Sequence, residues 1–217
     1  MAGGSELLGP FRYTWTPECF PLGRDSLALG AFATVRRNWK VCDLGCGGGL
    51  LLLLLARREA ALSLTGVELE PHAAAAAREN LRRNHLDGEI FEGDLSHLPP
   101  PPAVFDLVIS NPPYFAPGSG AQGGSGRMES TVSLEALCRR AGELLRPGGR
   151  FALVHRSERL ADLVSALRKH RLEPKRLQFL QHDSIHPPSA LLLESVKCGK
   201  PGLTCLPAAF AVDAAQS

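Results

Sequence analysis

The sequence lacks the features of several protein classes. Its longest uninterrupted apolar run, from Leu50 to Ala56, is seven residues, whereas a membrane-spanning helix needs about 20. The N-terminus has no basic segment followed by an apolar one, so a secretion signal is not predicted. The six cysteines include no C-x-x-C pair, and neither they nor the seven histidines have metal-ligand spacing. We therefore expect reduced thiols, no bound metal, no membrane association and a cytoplasmic location.

An excess of charge of one sign is also missing. The chain has 24 Lys and Arg against 22 Asp and Glu, a net charge of +2, and a protein that holds nucleic acid by overall charge alone is more basic. Cations do concentrate near the C-terminus, at Arg168, Lys169, Arg171, Lys175, Arg176, Lys197 and Lys200. These side chains either contact phosphates or form a solvated surface, and the second interpretation is the default.

The length of 217 residues predicts a single core. We divide the chain into an N-terminal extension (1–35), one α/β domain (36–206) and a C-terminal tail (207–217). Residues 1–17 are rich in Gly, Pro and Ser and predict a poorly ordered lead-in. A short helix is expected from Leu27 to Val35, with Asp25 or Ser26 as its cap.

From Val41 onward, short apolar runs alternate with helical stretches, which indicates βαβ units and a doubly wound parallel sheet. Strands are expected at 40–44, 63–68, 89–92, 104–110, 150–155, 175–182 and 189–197. Helices are expected at 48–58, 71–85, 133–146 and 157–170. The segments 99–102 and 118–126 predict loops, the second of them mobile and facing the substrate.

A glycine-rich segment, D-L-G-C-G-G-G at 43–49, connects the first strand of this domain to the leucine-rich helix. Glycine allows a sharp turn and a close approach of the backbone to a ligand. Leu50 stands where the dinucleotide fingerprint requires its last glycine, and the phosphate-loop ending is absent. The loop therefore predicts a ligand without a pyrophosphate, bound by Gly45, Gly47 and Gly49, with Cys46 as a packing residue of the same loop.

Acidic residues lie at the ends of three successive strands. Asp43 can hold an ammonium group, Glu68 can bind the two hydroxyls of a ribose, and Asp94 can accept from an adenine amino group. Each alone can be a helix cap or a surface charge. Together, beside the glycine loop, they predict S-adenosyl-L-methionine as the cofactor.

The fourth strand of the domain runs into N-P-P-Y at 111–114. The Asn111 side-chain oxygen and the Pro112 carbonyl can accept the two N–H groups of a planar amine and stabilise the positive charge that develops during methylation. Pro112 and Pro113 stiffen the loop, and Tyr114 can stack on the planar group. These four residues are the predicted catalytic set.

At these motifs the chain resembles class I methyltransferases, over about residues 22–206. The segments N-P-P-Y-F-A-P-G-S-G (111–120), L-R-P-G-G-R-F-A-L-V-H-R (145–156), L-E-P-K-R-L (172–177) and G-K-P-G-L (199–203) are similar to the bacterial tRNA1(Val) adenine-N6 methyltransferases. The resemblance implies a seven-stranded sheet with an antiparallel last strand, tRNA as substrate, and methylation of an adenine beside the valine anticodon. We expect a monomer.

Two other functions stay open at this stage. A protein-glutamine N5-methyltransferase presents a similar planar amide to N-P-P-Y, although such enzymes usually carry a helical domain before the catalytic one. A catalytically inactive subunit that binds RNA is the second alternative, and the intact motifs at 43–49 and 111–114 argue against it. A DNA adenine methyltransferase is disfavoured because no target-recognition domain fits in this length.

Overall fold

The computed structural model describes residues 3–17, 19, 22–94, 103–112, 133–181 and 183–210. The predicted loops at 99–102 and 118–126, and the predicted catalytic residues Pro113 and Tyr114, lie outside these residues. In chain order, the described elements are β1 (Gly4–Leu8), β2 (Phe11–Trp15), α1 (Arg24–Phe32), β3 (Lys40–Leu44), α2 (Leu50–Arg58), β4 (Ser63–Glu68), α3 (Pro71–Arg83), β5 (Gly88–Glu92), β6 (Phe105–Ser110), α4 (Leu134–Leu144), β7 (Leu145–Arg156), α5 (Leu160–Lys169), β8 (Leu172–Gln181), β9 (Ala190–Lys197), β10 (Thr204–Cys205) and β11 (Ala209–Phe210).

The central sheet has the strand order β10-β8-β9-β7-β6-β3-β4-β5. Strands β3 to β7 are parallel, and β9 is antiparallel to both of its neighbours, β7 and β8. All seven strands expected from the sequence are present, and the last of them is the antiparallel one. Two short strands, β10 and β11, add to the edge beside β8. The prediction of a doubly wound α/β fold is confirmed.

Helices cover both faces of this sheet. Alternate residues of each strand point to opposite faces, so that Leu107 and Ile109 join one buried cluster and Val108 joins the other. The first cluster lies under α1, α2 and α3, and the second under α4 and α5. All six leucines of α2 are buried, because this helix is enclosed by the sheet, α1 and the N-terminal hairpin.

The N-terminal segment is not the poorly ordered lead-in that its composition predicts. Strands β1 and β2 pair as an antiparallel hairpin whose turn contains Gly9, with a φ of 65°. The helix expected at 27–35 begins three residues earlier, at Arg24, and ends at Phe32. Its N-cap is Gly23, with no side-chain cap bond, so neither Asp25 nor Ser26 caps it.

Several boundaries in the second half also differ from the predicted ones. Strand β7 begins at Leu145 and includes the Pro147-Gly148-Gly149 segment, with a register shift against β6. Strand β8 begins at Leu172 and accommodates Pro174 by a register shift against β9, since proline cannot donate to a ladder. Residues 157–159 form a 3₁₀ turn before α5.

The six cysteines of the chain are free thiols, of which Cys198 and Cys205 are exposed. Of the described helices, none has the length and apolarity that crossing a membrane requires. Of the predicted tail, the structure describes residues 207–210, and Ala209–Phe210 pairs with β8. The domain limits at 35 and 206 stay predictions.

Candidate functional site

The predicted site residues lie at the ends of four adjacent parallel strands, β6, β3, β4 and β5, or directly after them. Asp43 of β3 pairs with Ile109 of β6 on one side and with Gly66 of β4 on the other. Glu68 of β4 pairs with Glu92 of β5. Neighbouring strands are about 4.8 Å apart, so the carboxyl ends of all four meet at one edge of the sheet. We call this edge the catalytic edge. In open α/β sheets, ligands bind at such an edge.

The glycine loop turns from β3 into α2 through three residues with positive φ. Gly45, Gly47 and Gly49 have φ values of 77°, 52° and 81°. Residues other than glycine rarely adopt this backbone conformation. A Cβ on Gly45 or on Gly47 would meet no atom of the described residues within 4 Å. The backbone here therefore borders open space, which a ligand can fill.

Glu68 connects this loop to the next helix. Its Oε2 accepts a hydrogen bond of 2.7 Å from the Gly47 amide, and its Oε1 accepts one of 2.9 Å from the amide of Glu70, the N-cap residue of α3. Each carboxylate oxygen has two lone pairs, so Glu68 can hold the loop and still accept from ribose hydroxyls.

Asp43 is the most unusual group of the site. Its side chain is 1% exposed, and neither carboxylate oxygen has a hydrogen-bond partner among the described residues. Burial raises the pKa of Asp43 well above its ordinary range, and the nearby Glu68 carboxylate raises it further. A buried carboxyl without a partner is costly, and a bound cation would compensate that cost.

These observations fit S-adenosyl-L-methionine. The carboxylate of Asp43, without a partner among the described residues, fits the predicted ammonium contact. Gly45 and Gly47 leave space beside the backbone, and Glu68 lies beside the loop, as its predicted ribose contact requires. Asp94 follows β5 two residues after Glu92, at the expected adenine position. Cys46 is 6% exposed and its Sγ would lie 2.7 Å from a Cβ on Gly66, so it packs against β4.

Asn111 begins the loop after β6 and is held by helix α1. Its Nδ2 donates a hydrogen bond of 2.8 Å to the Oγ of Ser26, a residue of α1 that is 8% exposed. The preceding residue, Ser110, is fully buried and donates to the Leu44 carbonyl at 2.7 Å. The Ser110 bond joins the end of β6 to the end of β3. The bond to Ser26 orients the Asn111 carboxamide.

The sequence patterns missed several residues that shape this site. Ser26 is singled out only as a possible cap, whereas its hydroxyl contacts Asn111. Leu69, directly after Glu68, keeps 44% of its surface exposed, and an exposed apolar side chain there can pack against a purine. Asn80 is 1% exposed and donates to the Gly48 carbonyl at 2.8 Å. A polar residue on the buried face of α3 is the signal that identifies Asn80.

Comparison with known proteins gives the family. Residues 26–172 match the family model described as "Methyltransferase small domain". A protein of Parabacteroides distasonis is 32% identical over 187 residues, covering 83% of this chain and 78% of its own length. One of Porphyromonas gingivalis is 35% identical over 80% of this chain and 73% of its own. One of Vibrio vulnificus is 37% identical over 62% of this chain and 58% of its own. All three are named tRNA1(Val) (adenine(37)-N6)-methyltransferase.

Solved structures agree on the fold. A protein of Agrobacterium tumefaciens, described as a predicted O-methyltransferase, superimposes with a TM-score of 0.70 at 22% identity and covers 86% of each chain. A methyltransferase of Pyrococcus furiosus gives 0.67 at 19% identity, over 88% of this chain and 90% of its own. The fold, the glycine loop and the unpaired Asp43 agree with the family match. The chain therefore belongs to the methyltransferase small domain family and is a class I methyltransferase that uses S-adenosyl-L-methionine.

Proposed function

We propose that this methyltransferase acts on the exocyclic N6 of an adenine in the anticodon loop of tRNA, with valine tRNA as the substrate. The observation that carries the proposal is the Asn111 carboxamide, held at the catalytic edge one strand away from the glycine loop. The names of the relatives support the choice of substrate. A tRNA substrate also agrees with the expected cytoplasmic location.

The chemistry requires two acceptors for a weakly nucleophilic amine. S-adenosylmethionine, when bound, supplies the methyl group as a sulfonium. The Nδ2 of Asn111 is bonded to Ser26, and its Oδ1 is the acceptor that we assign to one amine N–H. The Pro112 carbonyl can accept the second. These two oxygens favour a tetrahedral amine nitrogen and stabilise its growing positive charge. The stacking role of Tyr114 stays a prediction.

The substrate has to present an unpaired base to this edge. A base in a duplex must be extruded before its N6 can be reached, at a cost of a few kcal/mol, whereas a loop nucleotide is already accessible. An anticodon loop meets this requirement. A glutamine side chain on a protein would also present a planar amide, so the substrate class needs a direct test.

The test is methylation of total tRNA that lacks the modification. The protein is incubated with labelled S-adenosylmethionine and this tRNA, and the nucleosides are then separated. We expect label in N6-methyladenosine, and none when Asn111 is changed to Ala, with cofactor affinity in that variant within about threefold of the wild type because Asn111 lies outside the glycine loop.

Two results would contradict the proposal. Label in N5-methylglutamine of a protein substrate, with unlabelled tRNA, would favour the glutamine methyltransferase. Cofactor binding without transfer to either substrate would favour the inactive RNA-binding subunit. A fully active Asn111→Ala variant would remove the role assigned to Asn111 while leaving the substrate assignment in place.

A further inference from the structure

The N-terminal hairpin is fastened to helix α3 by two asparagines. Asn80 accepts from the Thr14 amide at 3.0 Å and donates to the Thr14 carbonyl at 2.8 Å. Asn84 makes the same pair of bonds with Arg12, accepting from its amide and donating to its carbonyl, both at 2.8 Å. Each side-chain amide therefore binds the backbone of β2 as a neighbouring strand would.

The spacing of the two asparagines explains this match. Residues four apart on a helix lie about 6 Å apart along its axis, and residues two apart on a strand lie about 6.6 Å apart. Asn80 and Asn84 therefore reach Thr14 and Arg12 with the same geometry. They supply hydrogen-bond partners to the backbone groups of β2 that face away from β1. Without them, these donors and acceptors would lack partners in the hairpin.

Asn80 makes one contact that Asn84 lacks. Its Nδ2 also donates to the carbonyl of Gly48 in the glycine loop, at 2.8 Å, and the side chain is 1% exposed. Tyr13 of β2, also 1% exposed, approaches the same residue from the hairpin: its hydroxyl would lie 2.9 Å from a Cβ on Gly48. Gly48 is thus held between α3 and the hairpin.

We propose that the N-terminal hairpin is part of the cofactor site, with Asn80 and Tyr13 as positioning residues for the glycine loop. The loop contains three residues in the left-handed region, and a glycine backbone loses more conformational freedom on ordering than any other. When the Gly48 carbonyl is already fixed in the ligand-free protein, less conformational entropy is lost on cofactor binding, and the affinity is higher. Residues 4–15 then influence cofactor affinity through Asn80.

The proposal concerns the cofactor and does not depend on tRNA as the substrate. A wild-type protein that binds S-adenosylmethionine but methylates no tRNA would contradict the proposed function and leave this inference standing. Its test therefore measures binding of the cofactor in the absence of any substrate.

Asn80→Ala and Asn84→Ala form a matched pair for this test, because each removes an equivalent pair of bonds to the backbone of β2. Asn84→Ala also removes a bond to the Asn80 carbonyl, but none to the glycine loop. Calorimetric titration with S-adenosylmethionine should show a roughly tenfold weaker affinity in Asn80→Ala. In this variant, about one backbone residue of the loop would have to become ordered when the cofactor binds, which has an entropy cost of this size. Asn84→Ala should stay within about twofold of the wild type. Hydrogen exchange of the peptide that contains residues 45–49 should become faster in Asn80→Ala only.

Two outcomes would overturn the inference. An unchanged affinity in Asn80→Ala would show that the bond to Gly48 does not position the loop. An equal loss in both variants would assign the effect to attachment of the hairpin and would overturn the positioning role of the Asn80–Gly48 bond. Thermal unfolding of each variant establishes that the protein compared in the titration is folded.

A second set of variants tests the other contact of Gly48, with Tyr13 of the hairpin, and does not require Asn80→Ala to fold. Gly48→Ala places a methyl group against the Tyr13 hydroxyl and should weaken cofactor binding. Adding Tyr13→Phe to Gly48→Ala removes that hydroxyl and should recover most of the affinity, while Tyr13→Phe alone serves as the control. Gly48→Ala without any effect, or a double variant as weak as Gly48→Ala alone, would refute the role of the hairpin.

Discussion

At the scale of single residues, Asp43 connects the fold to the cofactor through its charge. In the ligand-free protein, burial and then the Glu68 carboxylate raise the pKa of Asp43 well above its ordinary value of 3.8, because both disfavour the charged form. Tyr13 and Cys46, which are themselves buried, interact electrostatically with Asp43, and a phenol or a thiol cannot supply it with a positive charge. Binding of an ammonium group stabilises the carboxylate and lowers this pKa again.

The sign of the resulting pH dependence follows from linkage. An acid with a raised pKa in the folded state holds more protons folded than unfolded, so the free energy of unfolding decreases as pH rises from 3.8 to the raised value. Across the same window, cofactor binding should release a proton and strengthen with pH. Calorimetry in two buffers of different ionisation enthalpy measures that proton.

Asp43→Asn provides the control for this prediction. It should bind S-adenosylmethionine at least about tenfold more weakly, the size expected for a lost hydrogen bond between charged groups, and should show no pH dependence in this window. Its ligand-free melting temperature at pH 8 should not fall below that of the wild type. A wild type with a flat pH profile and no proton release would contradict the assignment.

Ser26 acts on the reaction through Asn111. Without the Ser26 hydroxyl, Nδ2 of Asn111 loses its acceptor and the carboxamide can rotate away from the amine. We expect Ser26→Ala to lower kcat about tenfold, because small displacements of a catalytic group have effects of this order. Cofactor affinity should be unchanged, and Ser26→Thr, which keeps the hydroxyl, should retain most of kcat. A Ser26→Ala variant with the wild-type kcat would rule this role out.

At the scale of elements, the domain strands were predictable and the N-terminal hairpin was not. The segment F-R-Y-T-W at 11–15 is rich in strand-forming residues and follows a Gly-Pro turn, which is a usable local signal. What stabilises it, however, comes from Asn80 and Asn84, 66 and 72 residues further along the chain. Local composition carries no information about such a partner.

Helix α1 shows the same limit for the site. Asp25 and Ser26 are residue types that favour a cap, and the sequence predicts one there. In the structure the helix starts earlier and Ser26 uses its hydroxyl for Asn111. The acids at the strand ends were predictable because topology alone brings them to one edge, whereas a contact across 85 residues depends on how α1 packs.

The C-terminal end of α1 is joined to β9 by a buried carboxylate. Glu194 is fully buried and accepts from the Thr34 amide and hydroxyl, at 2.8 and 3.0 Å. It also accepts from Arg150 at 2.6 Å and lies 3.4 Å from Arg176. A buried acid with several partners of this kind fixes the two elements relative to each other.

Removing Glu194 should therefore destabilise the whole domain. Breaking a buried ion pair costs 3–5 kcal/mol in general, and Glu194→Ala should lose about 3 kcal/mol, because Arg150 and Arg176 are 25% and 31% exposed and water can reach them. Urea unfolding measures the loss. Glu194→Gln, which keeps an acceptor for Thr34, should lose less. Equal stability of Glu194→Ala and the wild type would show that the ion pair contributes nothing net.

At the scale of the whole molecule, the acids predicted to hold the cofactor and several lysines lie at opposite edges of the sheet. The acids Asp43, Glu68, Glu92 and Asp94 lie at the catalytic edge. Lys40, Lys175, Lys197 and Lys200 lie at the opposite edge, where β3 and β8 begin and β9 ends. The cationic cluster noted in the sequence is thus on the far side from the glycine loop. Several of its members are already engaged within the chain, as in the pairs Arg168–Glu173 and Lys169–Glu135.

This arrangement predicts which cations a tRNA can use. The bond from Lys175 to the Lys200 carbonyl is on the far edge, so the double reversal Lys175→Glu/Lys200→Glu should change tRNA affinity by no more than about twofold and leave its salt dependence as it is. Arg156 is the last residue of β7, at the catalytic edge, and Arg159 ends the 3₁₀ turn that follows it. Both are substantially exposed, although each forms an ion pair within the chain, with Glu158 and Asp162. The matched reversal Arg156→Glu/Arg159→Glu alters net charge equally and should weaken tRNA binding about tenfold at low salt, with a shallower salt slope. Filter binding over a range of salt concentrations compares the two. The opposite ranking would mean that the RNA extends across the far edge and that the anticodon loop approaches the site from that side.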